Sequence, residues 1–237
     1  MSTIATNIAK VGVRIREAAQ AVGRDPDEVR VLVVSKTQTA DAIRQANDAG
    51  QCDFGENYLQ EALEKQASLG DLPLVWHFIG PIQSNKTKLI AEHFDWVHSV
   101  DRLKIAQRLS DQRPEHLASL NVCLQVNVSG EASKSGCEPQ EVRELAQAIA
   151  ALPRLRLRGL MAIPEPTDDP TEQRAAFARL RQLKSELGGD LDTLSMGMSQ
   201  DLEAAIAEGA TWVRIGTAVF GARPSSSQER SDRPAHE

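Results

Sequence analysis

The chain has 237 residues, 41% hydrophobic and 25% charged, a size and balance that suit one large folded domain or two small ones. Lys and Arg number 27 against 33 Asp and Glu, giving a net charge of −6; with no basic stripe, phosphate-backbone binding to nucleic acid is not expected. Residues 1–7 lack the charged start and apolar core of a signal peptide, no apolar run approaches the roughly 20 residues of a membrane span, and Cys52, Cys123 and Cys137 form neither a metal pattern nor a disulfide framework, so a reduced, cytoplasmic protein is expected.

Ile4, Ile8, Val11, Ile15, Ala18 and Val22 recur at helical spacing over residues 3–22, and Gly23 stops that helix. Residues 29–36 follow, with Val or Leu at five of eight positions, which reads as a buried parallel strand. Period 2 puts Arg30, Leu32, Val34 and Lys36 on one face, and Val31, Val33 and Ser35 on the other. The strand ends in a lysine. A lysine is costly to bury while charged, and one made neutral by burial is a nucleophile for a carbonyl carbon. From this strand alone, a lysine pointing into water is the simpler reading.

The pattern then repeats. Thr39 caps a helix that runs to Ala49-Gly50, a strand covers 52–56, and Asn57 caps a helix over 58–69. Strand 74–79, Gly80-Pro81 and a helix over 85–93 come next, then strand 96–100 and a helix from Asp101 to about residue 111. Strand 122–128, polar loop 129–136 and helix 139–151 lead to strand 157–163, loop 164–170 and helix 171–187. Strand 193–198 meets a helix over 200–208 capped by Ser199, and strand 212–216 ends in a short turn at 217–220. Eight β-α repeats in this length predict a closed (β/α)8 TIM-type barrel over residues 1–222, preceded by an extra N-terminal helix. An open doubly wound sheet would place a Gly-rich phosphate loop after its first strand, and here that place reads Lys36-Thr-Gln-Thr39. Residues 223–237 are polar and aperiodic, and are expected to be disordered.

In such a barrel the site lies at the C-terminal strand ends. These ends are Lys36, Glu56 and Asn57, residues 77–80, Ser99, Asn127, Met161, Met198 and Ser199, and residues 214–217. A lysine, an asparagine, a histidine, a serine and an arginine thus converge on one mouth, which favours a functional Lys36. Barrels often bind phosphate after strands seven and eight. There Ser199 offers a hydroxyl and a helix start, Gly216 admits close backbone approach, and Thr217 adds a second hydroxyl. Taken singly, Ser199 is only a cap and Gly216 only a turn; together, opposite a lysine, they suit a phosphorylated aldehyde.

These residues resemble the YggS/PROSC family of pyridoxal 5′-phosphate (PLP) homeostasis proteins. The matching stretches are Val33-Val-Ser-Lys36, Phe54-Gly-Glu-Asn57, Trp76-His-Phe-Ile-Gly80 with Gln83-Ser-Asn-Lys86, Asn127 with Ser133-Lys-Ser-Gly136, Arg158-Gly-Leu-Met-Ala-Ile163, Leu194-Ser-Met-Gly-Met-Ser199, and Val213-Arg-Ile-Gly-Thr217 through Phe220-Gly221. The resemblance implies a barrel like the alanine racemase N-terminal domain (a fold type III-like PLP protein), with PLP held at Lys36 as a Schiff base. It implies that Ser199, Gly216 and Thr217 hold the phosphate, that Arg214 lies near the ring nitrogen or phosphate, and that Asn57 flanks the cofactor. The chain departs from many members after Gly221, reading Ala-Arg-Pro-Ser225 where they continue Ala-Arg-Asp-Tyr, which puts any role of that Asp-Tyr pair in doubt.

Other residues carry plainer expectations. His77 reads as a hydrogen-bonded core residue, Met196 and Met198 as packing in the barrel or against the cofactor, Lys134 as a solvated loop lysine, and residues 83–86 as a helix cap with solvated polar groups. No His/Cys/Asp cluster has metal-ligand spacing, so no metal is expected. Three functions fit a lysine and a phosphate site: a PLP carrier or regulator acting in PLP homeostasis, a racemase-like PLP enzyme, and a Schiff-base aldolase. Racemisation on this barrel type needs a second base, a tyrosine from an added β-domain, whereas Tyr58 is the chain's one tyrosine. An arginine at the ring nitrogen would also leave the ring a poorer electron sink. An aldolase would be expected to place carboxylates near its lysine, and the first strand has none next to Lys36. A PLP-binding monomer without substantial turnover is therefore expected, with apo-forms of PLP enzymes as candidate acceptors.

Overall fold

The first strand, β1 (Arg30–Val34), shows how the molecule is layered. Leu32 and Val34 pack inward with Ile79 and Trp212, while Val31 and Val33 face outward into the large core between sheet and helices. Strand alternation thus feeds two cores, one inside the sheet and one around it. The computed structural model describes residues 3–130 and 135–221. Lys134 and the stretch 223–237 lie outside the described residues.

After β1 come α2 (Ala40–Asp48), β2 (Asp53–Glu56), α3 (Leu59–Ser68), β3 (Val75–Phe78), α4 (Thr87–His93), β4 (Trp96–Val100), α5 (Leu103–Gln112) and β5 (Leu120–Gln125). They are followed by α6 (Val142–Ala150), β6 (Leu155–Met161), α7 (Pro170–Leu187), β7 (Thr193–Ser195), α8 (Leu202–Ala207), β8 (Trp212–Ile215) and α9 (Thr217–Phe220). The strands pair in chain order, all parallel, and β8 returns to β1 with Arg30 opposite Trp212 and Val33 opposite Ile215, closing the barrel. Helix α1 (Ile4–Ala21), capped by the Thr3 hydroxyl accepting the Thr6 N–H, buries Val11, Ile15 and Ala19 against the barrel's helical layer. The predicted (β/α)8 barrel with an extra leading helix is the fold observed.

Several predicted boundaries shift, each for a local reason. Strand β1 ends at Val34, so Lys36 stands on the turn beyond it. The helices expected from residues 85 and 139 begin as 3-10 turns at Ser84–Lys86 and Pro139–Glu141. Asn57 and Asp101 are not helix caps, because Tyr58 and Arg102 hold those extended positions, neither with a side-chain cap bond. Ser199 is not a cap either. Asp201 Oδ1 accepts the Met198 N–H at 2.5 Å, which closes an extra turn and delays α8 to Leu202. That turn needs Gly197: its φ is +94°, and a Cβ there would stand 2.4 Å from the Cβ of Ala205.

Candidate functional site

The C-terminal ends of β1, β2, β7 and β8 surround a cavity of about 570 Å³. Lys36, Asn57, Met198, Ser199, Arg214, Gly216 and Thr217, all the residues proposed from the sequence as cofactor contacts, line it. Val34 and Ile79, which belong to the inner core, form its floor, and loop residues Ile163, Pro164 and Pro166 also line it. The other strand-end candidates, Glu56, His77, Ser99, Asn127 and Met161, are not among the lining residues.

Each lining group is placed by its element. Asn57 follows β2 directly, and its backbone lies on Gly80, where a Cβ would come within 2.3 Å of the Asn57 carbonyl oxygen. Asn57 Oδ1 is a buried acceptor with no partner, which a donor on a bound ligand would satisfy. Gly216 brings the end of β8 against β1, with room for no more than a tight Cβ contact at 3.2 Å from the Val34 carbonyl oxygen. Thr217 then opens α9, whose first N–H groups are those a helix leaves unpaired internally. Ser199 is braced from α1: Arg14 Nη1 donates to its carbonyl at 2.7 Å while Arg14 also pairs with Glu203.

Arg214 is the charged group of the floor and is 4% exposed. Its Nη1 donates to Ser195 Oγ and its Nη2 to the Ala162 carbonyl, each at 2.9 Å. Burial pulls its guanidinium down to about 10, with Asp201 opposing, so it stays cationic at neutral pH. Burial pushes the Asp201 carboxyl up, against the Met198 N–H and the Arg214 charge.

Beneath Arg214 a polar chain descends through the barrel. Ser195 Oγ meets His98 Nδ1 at 2.7 Å, His98 Nε2 meets His77 Nδ1 at 2.9 Å, and His77 Nε2 meets Asp53 Oδ1 at 3.0 Å. Burial lowers the pKa of both histidines, that of His98 far below its ordinary value, with competition with His77 for a proton and the Arg214 charge adding to the effect. With both rings neutral, the Asp53 carboxylate accepts from His77 Nε2–H, which leaves His77 Nδ1 to accept from His98 Nε2–H. His98 Nδ1 then accepts from Ser195, whose oxygen accepts from Arg214. His77 also stacks on Trp96 at 5.5 Å and 8°. It is the hydrogen-bonded core residue expected from the sequence, and it sits below the mouth rather than in it. His98 and Ser195 were not singled out from the sequence, although period 2 places His98 on the face of Trp96. Met196 joins the outer core, whereas Met198, 38% exposed, stands at the cavity.

The family model for "Alanine racemase, N-terminal domain" matches residues 7–224. Among similar proteins, the "Pyridoxal phosphate homeostasis protein" of Pseudomonas aeruginosa is 74% identical over 94% of this chain and 97% of its own length. The protein of the same name from Escherichia coli (strain K12) is 54% identical over 96% of this chain and all of its own. Among solved structures, PipY of Synechococcus elongatus PCC7942 with PLP bound superimposes with a TM-score of 0.77 at 43% identity, covering 87% of this chain and all of that one. Alanine racemase of Corynebacterium glutamicum, at 20% identity and a TM-score of 0.65, shares the fold over 98% of this chain and 64% of its own.

Proposed function

This chain belongs to the pyridoxal phosphate homeostasis proteins of the alanine racemase N-terminal domain family, and on that premise we propose that it binds PLP at the barrel mouth and acts in PLP homeostasis without substantial turnover of its own. One observation carries the reading: an amine, a buried guanidinium, two hydroxyls and an unpartnered buried acceptor line a single cavity. These are the groups that a phosphorylated aromatic aldehyde needs.

Bound PLP supplies an aldehyde carbon that an amine attacks with loss of water, and a ring that can draw electron density. Lys36 would hold the aldehyde through Nζ. Ser199, Thr217 and the backbone at Gly216 would hold the phosphate with hydroxyl and N–H donors. Asn57 and Met198 would bound the ring. Arg214, which lines the cavity and stays cationic, would disfavour a proton on a ring nitrogen placed beside it and so would weaken the ring as an electron sink. Lys36 and Asp201 are the two lining groups that a base could be drawn from, and Asp201 already accepts the Met198 N–H. Tyr58 is 56% exposed and is not a lining residue. Both points favour holding and releasing the cofactor, with apo-enzymes as receivers, over chemistry at Cα.

The purified protein, reduced with borohydride and digested, is expected to carry a pyridoxyl group on the Lys36 peptide, and Lys36→Ala should lose it. A pyridoxyl group found only on another lysine would sink the assignment.

A further inference from the structure

The turn that carries Lys36 is gripped from behind by α3. Lys65 Nζ donates to the Ser35 carbonyl at 2.7 Å, and Glu61 Oε1 accepts the Thr37 N–H at 2.5 Å. The Ser35 carbonyl belongs to the peptide plane before the Lys36 Cα, and the Thr37 N–H to the plane after it. One Lys65–Glu61 pair, joined at 2.5 Å, therefore fixes both planes that set the direction of the Lys36 side chain. Glu56 completes the grip, with Oε1 accepting from Lys65 at 2.7 Å and from the Ser35 hydroxyl at 2.6 Å.

This is a costly way to hold a loop. Lys65 is 6% exposed and Glu56 fully buried, and buried ion networks give little net stability over well-packed apolar groups. Burial pushes the Glu56 carboxyl up, against Lys65 and Ser35, and its Oε2 has no partner. Thr37 adopts φ +64°, a left-handed conformation that a branched side chain rarely takes without enforcement. Strain and buried charge thus converge on the residues either side of Lys36.

We propose that Lys65, Glu61 and Glu56 are positioning residues for the Lys36 amine, fixing its backbone so that Nζ is presented to an aldehyde in the cavity. The inference rests on the reading of Lys36 above. None of the three lines the cavity, so their effect should be confined to the covalent contact and leave the phosphate and ring sites intact.

The test compares two ligands on the full chain: PLP, and pyridoxine 5′-phosphate, which has the same ring and phosphate but an alcohol in place of the aldehyde. The variants are Glu61→Ala, at a partly exposed position that should fold, and the double change Lys65→Met with Glu56→Gln, which removes the cation without stranding a buried carboxylate. Affinity for PLP is expected to fall about tenfold more than affinity for pyridoxine 5′-phosphate, with less pyridoxyl group trapped on Lys36 by borohydride. A shift of about threefold or more in the ratio of the two affinities supports the inference. A ratio closer to wild type than that in both variants overturns it, including the case where both ligands weaken alike, which marks a purely structural role. Wild-type protein that traps nothing on Lys36 would instead remove the cofactor reading, and this inference with it.

Discussion

At the scale of single residues, the hydroxyls of Ser199 and Thr217 are where the proposed phosphate site can be told from an ordinary loop. Removing a hydrogen bond to a charged group costs about 1.5–3 kcal/mol, or roughly ten- to hundredfold in affinity. Ser199→Ala and Thr217→Ala are expected to weaken PLP by that range and to spare pyridoxal, which has no phosphate. Equal losses for the two ligands, measured by fluorescence titration, would show that the hydroxyls serve the fold. That the seven residues proposed as cofactor contacts would meet at one cavity was legible in the sequence, because chain order in a barrel fixes which strand ends meet, and each sits at or just past a strand end. Legibility failed where a side chain had two places to go. Ser199 has the chemistry of a cap, yet Asp201 two residues on closes the turn. Glu56 and Lys65 lie far enough apart in sequence that nothing in the local pattern showed their pairing behind Lys36.

Among the elements, β3 and β4 are unusual in placing His77 and His98 side by side inside the barrel. Burial lowers both pKa values, so above the ordinary histidine value of 6.5 their neutral state costs the fold nothing. As pH falls below 6.5, the unfolded chain takes up protons that the folded chain resists. Stability should therefore drop toward the folded pKa values, by up to about 1.4 kcal/mol per pH unit for each histidine. Glu56, whose pKa is raised, works in the opposite sense, so the comparison must be made between variants. Denaturant unfolding at several pH values should show a shallower loss in His98→Gln than in wild type; parallel slopes would refute the buried neutral pair. The number and type of these elements followed from hydrophobic period. Their ends followed less well: β1 stops two residues before Lys36, where side chains of α3 hold the Ser35 carbonyl and the Thr37 N–H, and two helices open as 3-10 turns, the second closed by the Glu141 side chain accepting the Glu138 N–H.

For the whole molecule, the cavity at the barrel mouth limits what PLP, held there as proposed, can do. Incubated with common amino acids in deuterated water, the protein is expected to exchange the Cα hydrogen thousands of times more slowly than the roughly 10 s⁻¹ of a typical enzyme. Steady racemisation or transamination near that rate, abolished by Lys36→Ala, would replace the carrier reading with a racemase-like one. The barrel itself was readable from repetition alone, but its interior was not, since period 2 says which side chains point inward and not whom they meet. The chain from Arg214 through Ser195, His98 and His77 to Asp53 runs from the cavity floor to the N-terminal end of β2, and every donor in it points the same way. Such a row has no place for a single change: an alanine at Ser195 strands a histidine nitrogen and an arginine N–H at once, and a leucine at His77 strands its neighbours above and below. The four lower members should therefore pass through descent as one heritable block. Across the lineage they should be kept together or exchanged together for apolar residues, with mixed sets rare enough to be countable.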